Sequence, residues 1–170
     1  ARLRSMVPRG EQTACEFRTA HPVTLWPIEL AAARHFSFAP DLPLQPLQRG
    51  RPVRGGLRLR LRSHAGARFD RLACDRLDFF INAADEVAGQ LYELVHAHGL
   101  GAMVVDAAGR PHALPPGCIG ELGFEPGEAL LPYDRRSFQG YRLLHEYFAF
   151  PQRFLFFSIT GLRRAFAGVD

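Results

Sequence analysis

Apolar and polar positions alternate most regularly from Leu57 to Arg62, where three leucines interleave with Arg58, Arg60 and Arg62. A period of two puts the leucines on one side of an extended chain and the guanidinium groups on the other, which predicts a strand with one apolar and one cationic face. Cys15 to Thr19 alternates in the same way and predicts a half-buried strand. The β-branched and aromatic run Val23 to Leu30 predicts another, with Pro27 at an edge or a bulge because it has no N–H for the ladder. Leu77 to Asn82 reads as a further strand leading into a helix over 85–98. Val87, Leu91, Leu94, Val95 and His98 keep that helix's period, Asp85 or Asn82 can cap its start, and Gly99 can supply a left-handed exit.

Met103 to Val105, the turn residues that follow and the return through His112 and Leu114 predict a hairpin, and Cys118 to Phe124 a short strand. Ser137 is a candidate cap for a second helix that stops before Pro151. The apolar residues Tyr141, Leu143, Leu144, Tyr147, Phe148 and Phe150 run almost all round this helix, a pattern that implies burial on most sides. Phe154 to Thr160 then reads as a central strand. Four prolines between Pro40 and Pro52 predict an irregular surface connection, extending to about residue 56, with no packed element.

The elements add up to an α+β fold, a mostly antiparallel sheet with two docked helices, in a single domain of 170 residues. A composition of 47% apolar and 22% charged residues suits a folded globular chain. The longest uncharged run, Leu94 to Val105, has 12 residues, whereas a membrane-spanning helix needs about 20. The chain begins at Ala1 without a signal-peptide pattern, so it reads as an internal piece of a longer protein.

All 21 basic residues are arginine, which removes the lysine amine that a P-loop or a Schiff base needs. Nine of them lie between Arg49 and Arg76 against Asp70 and Asp75, so that window carries +7 while the net charge is +4. Three scattered cysteines without a C-x-x-C favour a reducing, cytoplasmic setting over a disulfide framework. His96 and His98 point to different sides of a helix, and His145-Glu146 has Ala149 where the second histidine of H-E-x-x-H would stand. With no G-x-S-x-G and no glycine-rich phosphate loop either, the expectation is no catalytic, metal or cofactor site and no small-molecule substrate. The arginine row admits three readings: a solvated, edge-protecting face, a salt-bridging protein interface, or a site for an anion or nucleic acid. The absence of aromatics between the arginines weighs against nucleic acid.

Leu130-Leu-Pro-Tyr133, the run Arg136 to Phe148 with Gly140-Tyr-Arg-Leu-Leu-His-Glu-Tyr-Phe148 at its centre, and Phe150-Pro-x-Arg-Phe-Leu-Phe-Phe157 resemble the signature of the TssF family, also called ImpG or VasA, of bacterial type VI secretion baseplates. Val7-Pro-Arg-Gly10, Cys15-x-Phe-Arg-Thr19, Val23-Thr-Leu-Trp-Pro27, Leu57 to Leu61 and Ala88-x-x-Leu-Tyr-Glu-Leu94 extend the resemblance over nearly the whole chain. It implies an internal domain of a non-catalytic structural protein about three times longer. The implied partners are a TssG-like wedge protein, further TssF copies, TssK and TssE. The implied place is the cytoplasmic side of the inner membrane, without membrane insertion. On this reading Tyr141, Tyr147, Phe148, Phe154, Phe156 and Phe157 are expected to anchor a helix against a central strand. Arg142 is expected to pair with Glu146. Arg58, Arg60, Arg62 and Trp26 are the candidate interface residues.

Overall fold

The computed structural model describes residues 2–7, 9–10, 12–48, 50–130, 136 and 138–169. In chain order its elements are β1 (Arg2–Arg4), β2 (Glu16–Arg18), β3 (Ile28–Phe36), α1 (Gln45–Gln48), β4 (Gly56–Ser63), β5 (Arg76–Phe80), α2 (Asp85–Ala97), β6 (Met103–Val105), β7 (Pro111–Ala113), β8 (Ile119–Glu121), α3 (Arg142–Ala149), β9 (Phe156–Thr160) and α4 (Leu162–Phe166). The class is α+β, and every strand pairing among the described residues is antiparallel. The strands form four small sheets instead of the one expected: β1-β2, β3-β4, β6-β7 and the three-stranded β5-β9-β8. Phe154 and Leu155 belong to a 3-10 turn and the bend after it, and β9 then takes the central position expected of it.

The core has two clusters that meet at Ile159 of β9. In one Cys74, Leu114, Cys118, Leu162, Ala165 and Phe166 are buried together, and in the other Ile81, Ala88 and Phe157. Phe79 and Phe157, cross-strand partners in β5 and β9, stack at 5.4 Å. The chain leaves β9 through Gly161 at φ 79°, a conformation a residue with Cβ resists, and enters α4, whose Leu162, Ala165 and Phe166 are buried. That last helix is missing from the sequence reading because five residues are too few to establish a period.

Several expectations are corrected. Val23 to Leu25 are exposed and form no strand; β3 starts only after Pro27 and runs through Ala31 to Ala33. Pairing with β4 selects this alanine segment over its neighbour of higher β-propensity, with an irregularity between Leu30 and Ala32. Phe17 stays exposed because the partner of β2 is the three-residue β1. The proline-rich connection holds one helical turn, α1, with Leu42, Leu44 and Leu47 half-buried. In α2 the inward positions are Ala88, Leu91, Tyr92 and Val95, while Val87 and Leu94 face outward. Neither Asp85 nor Asn82 caps it: Ala84 stands at that position without a side-chain bond, and His98, at φ −120°, ends the helix without a left-handed residue. Ser137, Leu131, Pro132 and Tyr133 lie outside the described residues. No helix among the described residues is long and apolar enough to cross a membrane.

Candidate functional site

At about 100° per residue, Arg142 and Glu146 share one side of α3 while Leu143, Leu144, Tyr147 and Phe148 spread over the other. The charged side is the one that is buried. Glu146 is 3% exposed; its Oε1 accepts the Leu130 N–H at 2.8 Å, and its Oε2 lies 3.2 Å from both Arg142 Nη1 and Arg153 Nε. Arg142 also donates to the carbonyls of Phe124 (2.5 Å) and Gly123 (3.4 Å). Arg153, fully buried, donates to the carbonyls of Ala20 at 3.2 Å, Gly123 at 3.5 Å and Glu128. One carboxylate thus sits between two guanidinium groups whose other donors point at backbone oxygens, the arrangement a buried charge requires.

The cluster ties α3 to the segments around residues 20, 123–130 and 153. His21 packs its ring on Phe156 at 4.5 Å and places Nε2 3.3 Å from the Arg153 carbonyl, and burial pushes its pKa below the usual imidazole value. The Arg142–Glu146 pair is present as its spacing suggests. Arg153 and His21 were missed, although an arginine inside the apolar run Pro151 to Phe157 is a signal that a buried partner waits for it.

With its charged side inward, α3 turns its aromatic side out. Tyr141, Tyr147 and Phe148 are exposed, Phe148 at 81%, so the expected core role does not hold for them. A helix apolar nearly all round has to place its few charged residues somewhere, and here Arg153 holds them inside. Phe154 and Phe157 are buried and Phe156 half-buried, as expected of the strand side. Trp26 is half-buried against the core cluster of Cys74 and Phe166.

Arg58, Arg60 and Arg62 project from one face of β4 and are exposed. The register sets Arg34 directly opposite Arg58 and Glu29 opposite Arg62. Asp41 meets Arg58 at 2.6 Å, and Glu29 instead reaches His64 at 3.2 Å. Like charges directly opposite each other destabilise a strand pair, so this face keeps a cationic excess at a cost. The leucine side of β4 lines a groove of about 1320 Å³ shared with α1, α2 and β6.

Asp106 accepts the Arg110 backbone N–H at 2.8 Å and its Nε at 2.6 Å, with His112 at 3.4 Å, which clasps the β6–β7 turn and holds the carboxyl pKa down to about 2. No group of three or more metal-ligating side chains is assembled among the described residues. His96 and His98 sit in the last turn of α2 and at its end.

The fold is an α+β module with a charged strand face and an aromatic helix face turned outward. The chain belongs to the TssF family: the family model described as "Type VI secretion system, TssF" matches residues 1–170. It is 46% identical over 168 residues to the type VI secretion system component TssF1 of Pseudomonas aeruginosa, a match that covers 97% of this chain and 27% of that protein. Its fold is similar to that of a chain in the type VI secretion system TssK-TssF-TssG baseplate subcomplex solved by cryo-electron microscopy. There the TM-score is 0.68 at 22% identity, over 96% of this chain and 28% of that one. The chain therefore spans little more than a quarter of the length of the relatives it matches.

Proposed function

We propose that this chain is a non-catalytic assembly module of a type VI secretion baseplate wedge. It would act within a longer TssF-type protein that meets TssG-like and TssK-like partners, further copies of itself and TssE, on the cytoplasmic side of the inner membrane. The observation that carries this reading is the family match along the full 170 residues. The likeness to a chain of a TssK-TssF-TssG subcomplex supports it. Among the described residues the buried charged side chains Glu146, Arg153 and Asp106 bind other protein groups with their charged atoms, as does Arg142.

The cationic face of β4 is the candidate interface, with Arg34 adding to Arg58, Arg60 and Arg62, and half-buried Trp26 a second contact residue. The test is co-purification of the full-length parent with its TssG-type partner, wild type against Arg58→Glu/Arg60→Glu/Arg62→Glu, each checked for folding by circular dichroism. Loss of the complex from the folded variant is the expected result. An unchanged complex removes the arginine face from the interface, and no complex with wild type counts against the assembly role. Salt separates the runner-up reading, because phosphate contacts to an anionic polymer weaken steeply between about 50 and 200 mM.

A further inference from the structure

The outward side of α3 is the least expected surface of the molecule. Phe138 (75% exposed), Tyr141, Leu144, Tyr147 and Phe148 stand in water together, with Phe138 edge-on to Tyr141 at 5.3 Å and Tyr147 edge-on to Phe148 at 5.7 Å. At about 200 Å² for each aromatic side chain, these five residues together expose roughly 600 Å² of mainly apolar surface. That is at the top of the range of about 300–600 Å² for the largest apolar patch of a typical monomer, and such patches are often functional. The helix cannot roll to hide it, because Glu146 is fixed from the inner side by Arg142, Arg153 and the Leu130 N–H.

We infer that the aromatic side of α3 is a packing face for another segment of the same polypeptide, one that lies outside these 170 residues. The inference rests on the family reading, which provides the rest of the chain: the matched relatives are more than three times as long. The area agrees with an intrachain contact. Matched by an equal area on the segment that covers it, the patch would bury about 1,200 Å² in total, inside the range of about 600–1,500 Å² for contacts between domains of one chain and only at the lower end of stand-alone interfaces, about 1,200–2,000 Å². A tethered segment also avoids the entropy of bringing in a separate molecule. The face calls for an apolar segment without charge at its centre, since the exposed positions facing it are phenyl, phenol and isobutyl groups.

The test is hydroxyl-radical footprinting of the wild-type full-length parent, read by mass spectrometry at Tyr141, Tyr147 and Phe148. It is done on the chain alone, with its TssG-type partner, and in denaturant. The expected result is modification about tenfold slower in the chain alone than in denaturant, with little further change on adding the partner. Rates near the denatured value in the chain alone overturn the inference. Protection that then arises only with the partner assigns the face to the complex, and none in either state leaves it a solvated surface. A second measurement needs no probe chemistry at the rings: maleimide labelling of Leu144→Cys in a Cys15→Ser background should follow the same order. Failure of the wedge to assemble is read separately, from co-purification, so the two proposals fail independently.

Discussion

His21 lies within the buried cluster, its Nδ1 without a partner and its Nε2 facing the Arg153 carbonyl, and burial is the first cause of its lowered pKa. His96 at the end of α2 is shifted the same way for the same first reason. A pKa lower in the folded than in the unfolded chain means that, as pH falls through the unfolded value near 6.5, the unfolded state takes up the proton first. Stability therefore declines as pH falls from about 7 to 5, before any carboxylate contributes. His21→Phe keeps a ring on Phe156 but does not titrate. Urea unfolding at a series of pH values should give this variant a shallower slope than wild type over that window, with the remainder assigned to His96. An unchanged slope would show that His21 does not titrate on unfolding.

At the scale of elements, α3 makes the difference between pattern and packing plainest. Its helical period was legible, and so was the Arg142–Glu146 pair; the side that faces inward was not. A pattern of apolar residues says which positions avoid water, and when they surround a helix it no longer chooses a side. The choice is made by Arg153, eleven residues beyond Arg142, whose guanidinium needs Glu146. In α2 the shift of the inward arc to Ala88, Leu91, Tyr92 and Val95 has a similar origin, since Ala88 permits the close approach to Phe157 that a larger side chain would prevent. The consequence for α3 is an inverted mutational profile within this 170-residue chain. Glu146→Ala leaves the buried Arg153 without its counter-charge and is expected to cost about 3–5 kcal/mol. Phe148→Ala is expected to cost less than about 1 kcal/mol, as surface substitutions do. Urea midpoints of the two variants, read against wild type, give the order directly, and a larger loss for Phe148→Ala would mean that the ring is packed within the chain itself.

For the whole molecule, the sequence made the α+β class, the strand at β4, the α2 helix, the β6–β7 hairpin and central β9 legible, because each is encoded by its own residues. The division into four sheets and the selection of β3 from its flanking segments were not, because they depend on which distant partner is available. What unites the pieces is the core beneath β5 and β9, where Cys74 and Cys118 are buried with Leu114, Leu162, Ala165 and Phe166 while Cys15 is exposed. Burial, with a smaller contribution from Asp75, also pushes the Cys74 thiol up to about 11, so little thiolate exists there at neutral pH. Cys15 should thus be alkylated at once at pH 8, whereas the two buried thiols wait for the core to open. If β5, β8, β9 and α4 open as one unit, Cys74 and Cys118 are modified at rates within about a factor of two of each other, and both slow in step with added stability. Mass spectrometry of the alkylated peptides over time measures this, and Cys118 reacting more than about tenfold faster than Cys74 would show that β8 opens separately from the rest.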